Sequence, residues 1–188
     1  MKPDLRAALQ NRILTGDGAM GTYLYQLGFP VGISYEELNL TQPGVIADVH
    51  RRYYEAGARV IETNTFSANA ENLARYGLEQ EVEAINKAAV SIARQAVGGD
   101  AYILGAVGSI RAGKRQNMLS AQVDRAFRQQ IAALIEAGVD GILLETFYDL
   151  EEMLIALNAV RSAGQMTVIC QFAVEASGRT RDGKTIEQ

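Results

Sequence analysis

The sequence of 188 residues contains a single cysteine, Cys170, and a single histidine, His50. One cysteine cannot form an intrachain disulfide, and it cannot supply several thiolates to a metal site within this chain. Cys170 lies inside an apolar strand pattern, which predicts a buried and inert thiol. His50 lies in the middle of a predicted helix, far along the chain from every predicted strand end. We therefore interpret it as a packing or surface side chain and not as a general base.

The sequence also lacks long apolar runs and clustered charge of one sign. Its longest apolar stretches, such as residues 101–107, are far too short to span a bilayer, and the N-terminal residues lack the apolar core of a secretory signal. The 18 basic and 22 acidic residues are interspersed, so no basic stripe is available to bind nucleic acid. We expect one globular domain over residues 1–188, located in the cytoplasm, with neither membrane nor nucleic acid as a partner.

Apolar, β-rich runs alternate with segments of helical periodicity. The runs are nearly continuous in apolar residues, as in parallel strands that are covered on both faces. Five strands are predicted, at residues 12–15, 59–63, 101–107, 140–145 and 167–174. Four helices are predicted between them, at residues 45–56, 82–97, 123–137 and 150–163. This alternation indicates βαβ units and a parallel sheet.

Helix ends carry recognisable signals. We expect Thr41 to be the N-cap of the helix at residues 45–56, with Pro43 near its start, and Ser120 to cap the third helix. Glycine follows the ends of three helices, at positions 57, 138 and 164, and it suits the left-handed residue that stops a helix. The segments EAGARVIETNTF and EAGVDGILLETF match in outline, which favours a repeated βα architecture.

Two architectures agree with this pattern. Strand starts recur about every 40 residues, and eight such units would need on the order of 300 residues, as in a (β/α)₈ barrel. Five strands cannot close a barrel, and the polar tail at residues 175–188 resembles a long βα loop. The alternative is a complete five-stranded, doubly wound sheet.

A glycine-rich loop, GDGAMG at residues 16–21, follows the first predicted strand. It satisfies the dinucleotide fingerprint G-x-G-x-x-G, but its second residue, Asp17, would repel a pyrophosphate. The same loop suits a zwitterion, because free backbone N–H groups at residues 18–20 can hold a carboxylate while Asp17 holds an ammonium. The alternative function is that of a dinucleotide-binding module. A purely structural interpretation is a strained glycine turn in which Asp17 acts as a cap.

Polar and acidic residues stand where the apolar runs end. ETNTF at residues 62–66 ends the second strand, and ETF at residues 145–147 ends the fourth. GAVGS at residues 105–109 ends the third strand with small residues that leave space for a ligand. Because the carboxyl ends of the strands form the active-site face of a parallel barrel, we predict a binding site there. We interpret the charges at residues 111–115 and 179–184 as solvated loops.

These motifs together resemble the homocysteine S-methyltransferase family. ILTGDGAMGTYL is similar to the family's first-strand motif, and LNLTQPGVIADVHRRYYEAGARVIETNTFSAN is similar to its first helix and second strand. YGLE, AINKAAVSIAR and ILLETF continue the similarity, which covers roughly residues 10–176. The similarity is strongest to the branch that contains the homocysteine-binding domain of cobalamin-dependent methionine synthase, or its fusion to methylenetetrahydrofolate reductase.

The resemblance implies a (β/α)₈ barrel of the TIM type, present here as about its first five βα units. It also implies an enzyme that transfers a methyl group to the sulfur of homocysteine and forms methionine. By resemblance, Asp17 and Glu145 bind the substrate ammonium. The remaining implied substrate contacts are the backbone N–H groups of Gly18, Ala19 and Met20, with Ser109, for the carboxylate, and Thr63 and Asn64 in the pocket wall. No residue is assigned a catalytic role.

The resemblance implies zinc as well, held in this family by three cysteines that follow the sixth and eighth strands. This sequence reaches only the fifth strand, and Cys170 matches none of the three. We therefore expect the zinc ligands beyond residue 188, no metal ligand within the chain, and little activity of the chain alone. The implied methyl donor is methylcobalamin or methyltetrahydrofolate. The implied partners are homocysteine, the remaining half of the barrel, and folate or cobalamin domains.

Overall fold

The computed structural model describes residues 2–111, 117–185 and 187–188. Its strands form one parallel sheet in the order β1-β2-β3-β4, so each strand lies beside the next one along the chain. Their bounds are Val60–Glu62 for β1, Tyr102–Gly108 for β2, Gly141–Phe147 for β3 and Val168–Phe172 for β4. This arrangement confirms the predicted βαβ organisation.

Helices connect the strands and pack against the sheet. The helices are α1 (Leu5–Asn11), α2 (Met20–Gln26), α3 (Leu38–Thr41), α4 (Pro43–Glu55), α5 (Ala70–Leu73), a 3₁₀ turn (Ala74–Tyr76), α6 (Val82–Val97), α7 (Ser120–Glu136) and α8 (Leu150–Ala163). The bounds of α6 and α8 agree with the prediction, whereas α4 and α7 begin before the predicted residues. Among the described residues, no helix has both the length and the apolar character needed to cross a membrane.

The helix-end signals are confirmed in part. Gly57 and Gly138 follow α4 and α7 with φ values of 113° and 88°, the left-handed region that glycine enters without a steric penalty. Pro43 is the first residue of α4, as predicted. The prediction that Thr41 caps this helix is wrong, because Thr41 ends the short helix α3 and Gln42 takes the capping position.

The predicted strand at residues 12–15 is not formed. Its place is marked by a single parallel bridge between Gly16 and Val60, and the Val60 N–H donates to the Thr15 carbonyl at 3.1 Å. Ile13 is 98% exposed. The segment therefore follows the edge of β1 without building a ladder, because no described strand pairs with it on its other side.

The sheet has two apolar faces, and the side chains of each strand alternate between them. One face packs under the helices, with Ile61, Ile103, Ile142 and Leu144 in one cluster with residues of α6, α7 and α8. The opposite face carries Val60, Tyr102, Leu104 and Leu143, which pack against Leu5 and Ala8 of α1. Helix α1 thus covers this second face near the start of the strands, which leaves their carboxyl ends open.

Burial decreases at β4, the last strand of the sheet. Its residues change from partly buried at Val168 to exposed at Cys170, Gln171 and Phe172. The prediction of a buried Cys170 thiol is wrong, because β4 has a neighbouring strand on one side only. The tail that follows is a series of turns with one antiparallel bridge, between Arg179 and Thr185.

A buried carboxylate ties the loop after β2 to the start of α8. The Glu152 side chain is 0% exposed, and it accepts hydrogen bonds from Ser109 Oγ at 2.5 Å, Ile110 N at 2.6 Å and Arg111 N at 2.9 Å. Asp149 caps the same helix by accepting from the Glu152 N–H. Burial raises the pKa of Glu152 above its usual range.

Arg111 extends this link instead of entering solvent. Its guanidinium donates to Met118 O and Ser120 Oγ and lies 3.1 Å from Glu151. Ser120 is the first residue of α7, with Leu119 at the capping position, so the predicted Ser120 cap is also wrong. The interpretation of Arg111 as solvated is wrong for the same reason, since only 8% of the residue is exposed. The rest of that charge cluster, residues 112–115, lies outside the described residues.

We predict that Glu152→Ala destabilises the protein by roughly 3 kcal/mol or more, because it leaves three buried donors without an acceptor at about 1–3 kcal/mol each. Urea unfolding measures the change. Glu151→Ala is the matched control, because the Glu151 side chain is 66% exposed and its ion pair contributes about 0–1 kcal/mol. Equal losses from the two variants would contradict the role given to Glu152.

Candidate amino-acid-binding site

A cavity of about 570 Å³ opens at the carboxyl ends of β1 and β3. The loop at residues 17–22 forms one wall, and the segment at residues 62–67 forms another. Glu145 closes the side nearest β3, while Arg75 and Tyr76 of the 3₁₀ turn contribute to the lining. The predicted location of a site at the strand ends therefore coincides with an actual cavity.

Four carboxylates line this cavity, and one of them, Glu36, already accepts hydrogen bonds from Ser34 Oγ and Ser67 N. The sheet brings the other three there. The bridge between Gly16 and Val60 carries Asp17 to the end of β1, where the Asp17 N–H donates to Val60 O at 3.0 Å. The Glu62 N–H then donates to Asp17 Oδ2 at 3.1 Å. Glu62 and Glu145 occupy the last interior positions of their strands, since each lies two residues after an interior apolar side chain.

Burial raises the pKa values of Asp17, Glu62 and Glu145, and repulsion between the acids raises those of Asp17 and Glu145 further. Burial, followed by repulsion from Glu62, raises the pKa of Asp17 to about 8. Burial, followed by the same neighbour, raises the pKa of Glu145 to about 7, and burial also raises the pKa of Glu62. Asp17 Oδ1 is buried and has no hydrogen-bond partner among the described residues. An unpaired buried oxygen beside two other acids suits a cationic donor such as an ammonium group.

Hydrogen-bond donors lie next to these acids. The backbone N–H groups of Gly18, Ala19 and Met20 find no acceptor among the described residues. Tyr53 supports this loop, because its hydroxyl donates to Ala19 O at 3.0 Å. A Cβ atom at Gly18 would lie 2.9 Å from the Tyr53 ring, so the close approach of the ring requires glycine there.

Thr63 and Asn64 belong to the cavity wall, but the Thr63 hydroxyl and the Asn64 side-chain N–H group are already engaged. Thr63 Oγ1 accepts from Ala106 N at 3.1 Å and lies 2.6 Å from Thr65 Oγ1, which donates to Ala106 O. The Asn64 amide donates to Tyr35 O at 2.7 Å. Both side chains therefore fix the shape of the wall, as buried polar networks commonly do.

Three other residues considered in the sequence lie apart from the cavity wall. Ser109 donates to Glu152 beneath the loop after β2, so the structure does not bring it into the wall with Asp17 and Glu145. His50 is fully buried, and burial lowers its pKa to about 4, which confirms its interpretation as a packing residue. Cys170 lies at the sheet edge, against a different groove between α1 and α8.

Glu62 is the site residue that sequence reasoning did not assign. It is the first residue of the ETNTF motif, and the family resemblance implies roles only for Thr63 and Asn64, which follow it. Strand alternation was the available signal, since Glu62 lies two residues after the interior residue Val60. The aromatic and basic residues at the mouth, Phe66, Tyr76 and Arg75, carried no comparable signal, because they lie on loops and on a short 3₁₀ turn.

Metal ligands are not assembled here. The described residues contain no group of three or more His, Cys, Asp or Glu side chains placed to hold a metal ion. The single cysteine of the chain lies outside the cavity wall. These residues therefore do not fit a centre that requires three thiolates.

Comparison with known proteins identifies the family. Residues 14–188 match the family profile described as homocysteine S-methyltransferase. The chain belongs to this family. Two similar relatives are the methionine synthases of Mycobacterium leprae (strain TN) and Mycobacterium tuberculosis (strain ATCC 25618 / H37Rv), each 31% identical over 97% of this chain. The chain spans only 17% of the length of either relative.

Solved structures of the family show the same fold. The Escherichia coli homocysteine methyltransferase MmuM in its oxidised form superposes with a TM-score of 0.86 at 25% identity, over 98% of this chain and 70% of MmuM. Its metallated form gives a TM-score of 0.86 at 26% identity. The fold is thus a partial (β/α)₈ barrel, as the resemblance implied, and the doubly wound, dinucleotide-binding alternative is not favoured.

We predict that Asp17→Asn stabilises this family member progressively as the pH rises. With a pKa of about 8 in the folded state and 3.8 ordinarily, Asp17 holds a proton between pH 4 and 8 that the unfolded chain has lost. The free energy of unfolding of the wild type therefore falls as the pH rises through this window. The variant does not show this decrease, because asparagine has no carboxyl group to ionise. Urea unfolding should show an advantage of about 0.5–2 kcal/mol at pH 8 that disappears near pH 4.

Asp48→Asn is the control for this measurement, because the Asp48 side chain is 60% exposed and lies outside the cavity. It should change stability by less than about 0.5 kcal/mol at every pH. An Asp17→Asn variant that is less stable than wild type at pH 8 would contradict the assigned charge state.

Proposed function

We propose that this chain is the homocysteine-binding portion of a homocysteine S-methyltransferase, an enzyme that forms methionine. The observation that carries the proposal is the unpaired, buried Asp17 Oδ1 in a cavity that also contains Glu62 and Glu145. Family membership supports the substrate class, and the names of the relatives support the product.

In this proposal the substrate ammonium binds between Asp17 and Glu145. Ammonium supplies three N–H donors and one positive charge, which would satisfy Asp17 Oδ1 and lower the pKa of both acids. One ammonium cannot neutralise three ionised acids, so a proton remains within the cluster near neutral pH.

The substrate carboxylate binds the N–H groups of Gly18, Ala19 and Met20 in this proposal. These donors are adjacent to Asp17, so one loop presents opposite partners to the two charged ends of an amino acid. Thr63 and Asn64 shape the wall through the hydrogen bonds described above. Ser109 stays a predicted contributor, and it would have to exchange its bond with Glu152 to reach the substrate.

The thiol end of the substrate requires groups that this part of the barrel does not provide. We propose that zinc is the metal of the full enzyme, that its ligands lie beyond residue 188, and that this chain alone transfers no methyl group. The remaining strands of the barrel are then the first partner, followed by a folate or cobalamin domain. The donor we propose is methylcobalamin or methyltetrahydrofolate, supported by the similarity to proteins named methionine synthase.

We predict that Asp17→Asn and Glu145→Gln each weaken homocysteine binding by about 1.5–3 kcal/mol, the range for hydrogen bonds to charged groups. Isothermal titration calorimetry at pH 8 measures the change, because this pH is not below the raised pKa values of Asp17, about 8, and Glu145, about 7. Glu79→Gln is the control, since it removes the same charge from an exposed residue outside the cavity.

Wild-type affinity in both site variants would disprove the ammonium site. A parallel titration with NAD examines the dinucleotide alternative. Tight NAD binding without any response to homocysteine would replace the proposed function.

A further inference from the structure

Strand β3 contains one irregular residue, and it follows Glu145 directly. Thr146 has a φ value of 58°, and among the described residues other than glycine it alone adopts a positive φ. A β-branched side chain is poorly accommodated in this left-handed region. Strain of this kind persists only where the surrounding structure enforces it.

The irregularity coincides with a bulge in the ladder between β3 and β4. Leu144 pairs with Cys170 and Phe147 with Phe172, so three steps along β3 oppose two steps along β4. The ladder continues beyond the bulge, where the Ala173 N–H donates to Phe147 O at 2.8 Å. One extra residue is therefore inserted between two well-paired positions.

The bulge reconciles two requirements that a regular strand cannot meet. Leu143 and Glu145 face the interior and the cavity, whereas Leu144 faces the helices. Strict alternation would then direct Phe147 into the cavity beside Glu145. Phe147 is instead fully buried on the helix side, with its ring 5.8 Å from that of Phe127. Because position 146 is the extra residue of the bulge, the Phe147 side chain points toward the helices and not into the cavity.

We infer that Thr146 is a positioning residue, whose left-handed bulge holds the Glu145 carboxylate in the amino-acid site while Phe147 anchors the strand on the opposite face. This inference rests on the proposed function for its effect on homocysteine. The raised pKa of Glu145 agrees with a carboxyl group that is held in a buried position and cannot turn to solvent.

Two substitutions separate the backbone conformation from the side chain. Thr146→Gly accepts the positive φ but also many other conformations, so the Glu145 carboxyl group should lose its fixed position. Thr146→Asn removes the branched Cβ yet favours the left-handed region, so it should preserve the bulge. We expect homocysteine affinity to fall about five- to tenfold in Thr146→Gly and to stay within about twofold of wild type in Thr146→Asn.

A double variant shows whether Thr146 acts through Glu145. In the Glu145→Gln background, Thr146→Gly should cause no further loss of affinity, because the group that it positions is already disabled. A general structural defect would instead lower affinity equally in both backgrounds. The thermal unfolding midpoint of Thr146→Gly should remain within about 3 °C of wild type, since relief of strain offsets the added chain flexibility.

An NMR titration of the ligand-free protein decides the inference even if homocysteine does not bind. The pKa of Glu145, assigned with the Glu145→Gln variant, should fall toward its ordinary value in Thr146→Gly and stay raised in Thr146→Asn. An unchanged Glu145 titration in Thr146→Gly overturns the inference. A shifted titration without homocysteine binding by the wild type would support the positioning role and reject the proposed function.

Discussion

The site depends on the desolvation of three carboxyl groups, which lie beside β1, at the end of β1 and near the end of β3. Asp17, Glu62 and Glu145 repel one another in a cavity where water cannot fully solvate them. Arg75 also lines this cavity, but none of the ion pairs among the described residues involves the three acids. Such an arrangement is unfavourable for the free protein, because each charge must be lost or compensated. In the proposed function, the ammonium group of homocysteine supplies the positive charge that makes the arrangement favourable.

The parallel sheet is what makes this concentration of charge possible. Apolar side chains on both faces of β1, β2 and β3 hold the strands in register, while α1 covers the interior near their starts. The carboxyl ends of β1 and β3 border the cavity, where Glu62 and Glu145 lie, whereas β2 is buried to its last residue. The network from Glu152 to the loop after β2, and the Thr63 contacts to Ala106, stiffen the same rim. Apolar packing is thus concentrated near the starts of the strands, and the proposed binding site lies at their carboxyl ends.

Much of this architecture is readable in the sequence because hydrophobic periodicity is strong. The apolar runs that became β2 and β3, the helices α6 and α8, and the acids Asp17 and Glu145 were all recognisable. The failures have local causes: residues 12–15 have no second strand to pair with, and Cys170 lies on a strand that forms the sheet edge. Predicting Glu62 as a site residue required the side-chain alternation along β1. Predicting the Thr146 bulge required the register between β3 and β4, and no single segment of the sequence encodes that register.

The most direct test compares homocysteine with 4-mercaptobutyrate, which keeps the thiol and the carboxylate but lacks the ammonium group. Calorimetric titration of the chain at pH 8 should show binding of homocysteine and an affinity for the desamino compound at least about tenfold weaker, because a hydrogen-bonded charge contributes roughly 1.5–3 kcal/mol. Equal affinity for the two compounds would mean that the three carboxyl groups do not recognise an ammonium, and it would contradict this account of the site.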